Sequence, residues 1–170
     1  MQLAFQPMTR AAAESMTDWV YSAPYNIYGY HTRNRAEALT YLTAPINRFF
    51  AAFDGNELVG FRSFGADGRV AGGDYDGRYL DTGGGLRPDL TGRGLGQSAI
   101  AQGLHFGASV FRTTRFRVTI AGFNLRAQTV CRRLGFHVTQ QFIRPHDRAE
   151  FLVFSIDELP ELQRPSPPSP

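Results

Sequence analysis

An α/β fold, a mixed sheet covered by helices on both faces, is what this sequence predicts, and three observations predict it. Strand-like and helix-like stretches follow the order β-α-α-β-β-β-α-β-α-β-β along the chain. "NRFFAAFDGNELVGFRSFG" sets two apolar runs around Asp54-Gly55-Asn56, a strong hairpin signal. "LRPDLTGRGLGQSAI", from Leu86 to Ile100, leads from a strand into a helix through Gly92, Gly94 and Gly96. Glycine weakens a helix, so three of them at a helix start need a reason.

The elements follow in order. Leu3 to Met8 alternates and predicts the first strand; Arg10 to about Tyr21 has helical propensity, with Met16, Trp19 and Val20 on one side. Pro24 and Gly29 break that helix, and Tyr21 to His31 is crowded with tyrosines. A second short helix is expected from Arg33 to Thr43, stopped by Ala44-Pro45. The hairpin comes next, then a strand from Tyr79 to Leu86 and a helix from Gln97 to about Arg112. That helix keeps Ile100, Gly103, Leu104, Gly107 and Phe111 on one face, and its small residues suit close packing on a sheet. Arg115 to Gly122 predicts a strand. Asn124 to Leu134 predicts a helix, with Asn as N-cap and Gly135 as stop. "FHVTQQFI" and "AEFLVFSI" are the last strands. Residues 1–159 read as one domain, and residues 160–170, rich in Pro and Ser, as a flexible tail.

Composition excludes several classes. No apolar run approaches the roughly 20 residues a membrane helix needs, and the N-terminus has no signal-peptide pattern. A single cysteine rules out an internal disulfide and fits a reducing, cytoplasmic setting; four scattered histidines predict no metal site. All 18 basic residues are arginine, as G+C-rich coding produces, so arginine number alone says little about function. The net charge of +3 suits a small anionic ligand and falls short of the basic stripe of a nucleic-acid binder.

Two phosphate loops can be tested on the glycine segment. The P-loop needs a lysine, and the chain has none; the dinucleotide fingerprint fails at Gln97, which stands where its third glycine belongs. What remains is a strand, a G-x-G-x-G turn and a helix N-terminus, which offers N–H groups and a positive dipole end to an anion. Taken alone, the glycines equally fit a tight strand-to-helix connection. The segment "NLRAQTVCRRLGF", Asn124 to Phe136, adds a second signature one strand later. Together the two resemble the GNAT superfamily of acyl-CoA-dependent N-acyltransferases. Thr91-Gly92-Arg93-Gly94-Leu95-Gly96 is similar to the family's phosphate loop, and Asn124, Ala127, Gly135 and Phe136 match its second motif. Three positions depart: Thr91 replaces a leading Arg or Gln, Cys131 a tyrosine that often acts as general acid, and Thr119 a glutamate of some members.

The resemblance implies a GNAT fold, a mixed and mostly antiparallel six- to seven-stranded sheet splayed between strands 4 and 5. It implies acetyl-CoA as co-substrate without a metal, bound by Leu86, Thr91, Gly92, Arg93, Gly94, Leu95, Gly96, Gln97 and Asn124. The Leu86 amide is the expected oxyanion donor. Gly83-Gly84-Gly85 is expected to weaken strand pairing and favour a bulge. Asp81 is the expected catalytic carboxylate, ahead of Asp74 and Asp76, with a solvated strand-end carboxylate as the competing reading. Asn124 serves as N-cap, as a pantetheine contact, or as both. Cys131 is either the acid that protonates the leaving thiolate or a small core residue, and packing is the commoner fate. Arg93 and Arg126 are within the set expected to meet CoA phosphates, and Tyr25, Tyr28 and Tyr30, with Tyr21, are expected to line the acceptor groove.

The function these readings support is N-acetyl transfer from acetyl-CoA to a primary amine, of a small molecule or a peptide, by direct attack. The alternative is a non-catalytic acyl-CoA-binding sensor or scaffold. Expected partners are acetyl-CoA and the amine, with no nucleic acid and no membrane; a homodimer is left open.

Overall fold

The computed structural model describes residues 1–30 and 33–162. His31, Thr32 and residues 163–170, most of the expected tail, lie outside the described residues. The elements in chain order are β1 (Leu3–Pro7), α1 (Arg10–Thr17), α2 (Arg35–Thr43), β2 (Phe49–Asp54), β3 (Glu57–Phe64), β4 (Leu80–Leu86), α3 (Gly96–Phe111), β5 (Phe116–Ala121), α4 (Leu125–Arg133), β6 (His137–Ile143) and β7 (Glu150–Ile156). The seven strands form one sheet in the order β1-β2-β3-β4-β5-β7-β6. Every pairing is antiparallel except β4 with β5.

Local chemistry explains most boundaries. The β2–β3 turn has Gly55 at φ +60, a left-handed conformation that glycine adopts without penalty. Thr9 caps α1 by accepting from the Ala12 N–H, and Asn34 caps α2 by accepting from Ala36 and Glu37. The helix α1 ends at Thr17, short of the expected Tyr21, because Asp18 and Trp19 turn their N–H groups back to Ser15 and Met16. Asn124 caps α4 through the Ala127 N–H, as its sequence position predicted.

Two apolar clusters cover the two faces of the sheet. On one face, Leu104 of α3 and Cys131 of α4 pack with Phe64, Phe116 and Phe154 of the strands. On the other, Ala13 and Met16 of α1 and Leu42 of α2 pack with Phe49 and Ala51. The small residues of α3 do bring it close. A Cβ at Gly107 would stand 2.4 Å from the Phe64 ring, and one at Gly103 would stand 2.9 Å from Arg62 Cδ.

The triple glycine is a correction. Gly83, Gly84 and Gly85 stay in unbroken register with Ser63, Arg62 and Phe61, without the expected bulge. A Cβ at Gly84 would lie 2.6 Å from the Phe61 carbonyl oxygen, so this stretch is glycine because β3 approaches it closely. The irregularities fall elsewhere, in β2 at Ala52/Phe53 and in β6 at Val138/Gln140.

Candidate active site

The parallel pair in the middle of the sheet is brief. Only Leu80 and Asp81 of β4 pair with Phe116 and Arg117 of β5; beyond them the strands separate. Gly65 N–H donates to the Asp81 carbonyl (2.7 Å) and Arg87 N–H to that of Val59 (2.8 Å). Odd-numbered residues of β4 therefore turn their backbone groups toward β3, and by strand alternation Thr82, Gly84 and Leu86 turn theirs toward β5. Past Asp81 no strand meets them. The Leu86 N–H thus faces the gap, where a polarised carbonyl oxygen can be received.

One mouth of this gap meets the glycine segment. Gly92 and Gly94 have φ of +76 and +78, and a Cβ at either would meet nothing within 4 Å. Backbone conformation, then, and not crowding by the protein, requires glycine there, and the space a side chain would fill is open. Thr91 Oγ1 donates to the Pro88 carbonyl (2.8 Å) and steadies the turn. The helix α3 starts at Gly96. Unlike α1, α2 and α4 it has no side-chain cap, and no acid sits in its first turn. Its leading N–H groups and positive dipole end are left for an anion. Arg93 is exposed in the same turn.

The tyrosine-rich segment spans the other mouth. Tyr21 Oη donates to the Leu86 carbonyl on β4 (2.8 Å), and burial pushes this phenol up to about 12. On the β5 side, the rings of Tyr25 and Tyr28 lie 5.9 and 6.1 Å from Phe123, and Asn124 Nδ2 donates to Tyr28 Oη (3.3 Å). Arg126 stacks on Tyr25 (4.8 Å). Tyr30 turns into the α1–α2 cluster with Arg33 over its ring at 5.0 Å. On this face Gly83 and Gly85 leave a bare strip of β4. Tyr21 Oη lies 3.3 Å from where a Cβ of Gly85 would be, and an Asp67 carboxylate oxygen 3.5 Å from that of Gly83. Tyr41 Oη and Ser63 Oγ both donate to Asp67, at 2.9 and 2.6 Å.

Charges flank β4 on both faces. Asp81, 1% exposed, accepts from Arg117 Nε (2.5 Å) and Nη2 (3.1 Å) and from Arg69 Nε (2.7 Å). The Tyr75 ring covers Arg117 at 4.9 Å, and the Tyr75 hydroxyl lies 3.1 Å from Thr119 Oγ1. On the opposite face Arg62 is buried beside Thr82, and Cys131 is 2% exposed. Burial pushes the Cys131 thiol up to about 12, against the pull of Arg62 and Arg132.

A family model described as "Acetyltransferase (GNAT) domain" matches residues 2–137. This chain belongs to the GNAT acetyltransferases. An acetyltransferase of the GNAT family from Bacillus anthracis superposes with a TM-score of 0.70 at 16% identity, covering 92% of this chain and 95% of that one. The aminoglycoside acetyltransferase AAC(6')-Ib, solved with coenzyme A, gives 0.69 at 16% identity over 92% and 95%. The Salmonella typhimurium protein yncA, solved with its cofactor acetyl-CoA, gives 0.62 at 17% identity over 98% of each chain. No curated protein matches the sequence significantly.

Within this GNAT enzyme the structure gathers Leu86, the Thr91–Gln97 turn and Asn124 around one gap, and brings Tyr21, Tyr25 and Tyr28 to its rim. It sets Asp81 apart. At about 3.3 Å per residue, Asp81 stands roughly 16 Å along β4 from Leu86, with both carboxylate oxygens taken by guanidinium groups. Asp74 and Asp76 lie in the loop before β4, with Asp76 paired to Arg78 and Arg117. Sequence reasoning missed Arg62 and Asp67. Arg62 had a legible signal, a charge inside the apolar run "LVGFRSF"; Asp67, in the short turn after β3, had none.

Proposed function

We propose that this acetyltransferase moves an acetyl group from acetyl-CoA to a primary amine by direct attack, without an acyl-enzyme. One observation carries the reading: the gap between β4 and β5, faced by the Leu86 N–H, opens at the end of β4 that leads into the uncapped glycine turn ahead of α3. These donors fit the two demands of acetyl-CoA, an anionic pyrophosphate and a carbonyl that gains charge. Thr91, Gly92, Arg93, Gly94, Leu95, Gly96 and Gln97 hold the phosphates, and Leu86 receives the carbonyl oxygen. Asn124 caps α4 and fixes Tyr28 at the rim. When bound, acetyl-CoA supplies the thioester carbon and a thiol leaving group.

The amine enters over the bare strip of β4, between Tyr21 and Asp67, with Tyr25 and Tyr28 shaping the approach. Gly83, the β4 residue beside Asp67, lies about 10 Å from Leu86 by strand rise, which keeps Asp67 off the attacking nitrogen. Asp67 anchors a second positive charge on the acceptor, and water carries the proton from the nucleophile. Two of the fold's relatives are named for polycationic substrates, an aminoglycoside acetyltransferase and a spermidine N-acetyltransferase chimera, and an anionic anchor among tyrosines suits that class. Asp81 is the structural counter-ion of Arg117 and Arg69 in this reading, and Cys131 is packing. Use of acetyl-CoA and a single buried thiol fit a cytoplasmic protein.

Thiol release with a panel of mono- and polyamines tests the activity, and a CoA-induced rise in Tm tests the loop. At a CoA concentration about 100 times Kd the native state gains about 2.7 kcal/mol. Gly94→Val should abolish that gain, because its side chain enters the phosphate space; a retained shift places the phosphates elsewhere. Asp67→Asn should raise KM for polyamines roughly 10-fold and leave CoA binding unchanged. CoA binding with no thiol release from any amine would make the protein a binding module instead.

A further inference from the structure

Arg62 is buried without a counter-ion among the described residues. It pairs across the strands with Gly84, and its side chain runs over that glycine: a Cβ there would stand 2.8 Å from Cδ and 2.9 Å from Nη1. Beneath it lies Gly103 of α3, and beyond it Cys131 of α4. Nη2 donates to Thr82 Oγ1 at 2.9 Å. Thr82 and Gly84 are the residues where β4 leaves β5, so the guanidinium sits at the fork of the gap. Among the described residues no carboxylate pairs with it, and its Nε is the one buried side-chain polar atom without a partner. Burial lowers its pKa to about 10, which keeps it a cation at neutral pH. A buried, uncompensated cation is costly, and the cost is recovered only when an anion arrives.

We propose that the Arg62 guanidinium is the charge that stabilises the CoA thiolate as it leaves, which makes it a catalytic residue of this site. This rests on the acetyl-CoA reading above. As the amine nitrogen bonds to the carbonyl carbon, the C–S bond breaks and its electron pair stays on sulfur. The extra proton on nitrogen goes to water. Sulfur then bears a full negative charge in a dry, low-dielectric fork, where a fixed cation acts most strongly. Among the titratable neighbours, Cys131 of α4 is neutral, held so by burial, and Arg132 acts on Cys131. Thr82 of β4 and Gly103 of α3 bring no charge. The Asp81 carboxylate, next to Thr82 in β4, is answered on the other face by Arg117 and Arg69. The arrangement removes the need for a proton donor at position 131.

The decisive measurement is calorimetric binding of CoA and of desulfo-CoA, which lacks the sulfur, from about pH 6 to about pH 9, across the ordinary thiol range near 8.5. In the native protein CoA should gain at least roughly 10-fold in affinity relative to desulfo-CoA as pH rises, with the bound thiol ionising about one unit or more below the free one. Arg62→Met should bind desulfo-CoA as the native protein does and lose the thiolate preference; Arg62→Lys should keep part of it. Arg62→Gln provides the neutral variant if the methionine variant fails to fold. Parallel pH profiles for the two ligands in the native protein, or a thiolate preference that survives in a neutral variant, overturn the proposal while leaving CoA binding intact. Failure of both CoA and desulfo-CoA to bind the native protein overturns the acetyl-CoA reading, and this inference with it.

Discussion

Two buried arginines flank the same strand, and their surroundings differ in kind. Arg117, 4% exposed, meets both oxygens of Asp81, a carboxylate of Asp76 and the face of Tyr75. Arg62, 7% exposed, has one hydroxyl and an orphaned Nε. On the Arg117 face Asp81 and its arginines answer each other, so the cluster holds β4 to β5 at the base of the gap. On the Arg62 face the charge is left open, which costs stability and leaves a field ready for a ligand. Paired buried charge marks structure here; the unpaired buried charge is the one proposed to meet a ligand.

The comparison breaks most readily at Asp81. Asp81→Asn should destabilise the protein by about 3–5 kcal/mol in urea unfolding, because Arg117 is then buried without its anion. Turnover per folded molecule should hold; a stable Asp81→Asn protein with lost turnover would restore Asp81 as the base. Arg62→Met should act with the opposite sign. Removing an unanswered charge leaves stability unchanged or raises it by up to about 4 kcal/mol, while turnover falls roughly 100-fold. Equal destabilisation by both substitutions would erase the distinction between the faces.

A third test concerns Tyr21, on the Arg117 face at the end of β4. Its folded pKa of about 12 exceeds the ordinary tyrosine value of about 10, so above about pH 10 the unfolded chain loses its proton first. The stability it contributes is full below about pH 10 and is lost as pH rises toward 12, by about 2–3 kcal/mol at most. Alkaline unfolding should therefore be flatter in Tyr21→Phe. The smallest effect is expected at Cys131. Cys131→Ala should cost about 1 kcal/mol for a small cavity and leave turnover within a few-fold, since a thiol held near 12 gives up no proton at neutral pH.

The glycine turn, the Asn124 cap and the hairpin were all legible in the sequence, because each depends on neighbours a few residues away. A left-handed turn needs glycine at 92 and 94 whatever surrounds it, and Asn124 reaches an N–H three residues on. The pairing of Asp81 was not legible. Asp81 stood on the right strand, but its partners Arg69 and Arg117 come from 12 and 36 residues away. Asp67 lay in a turn with no pattern, and only the sheet puts it beside Gly83.

By itself, then, the sequence determined the α/β order, the glycine turn and the family, since periodicity, φ preference and short-range hydrogen bonds are local properties. The tertiary structure alone decided which charges are answered. It placed Arg117 against Asp81 and left Arg62 without an anion. Burial and electrostatic pairing depend on residues that the fold brings together from separate elements, and no local spacing encodes them.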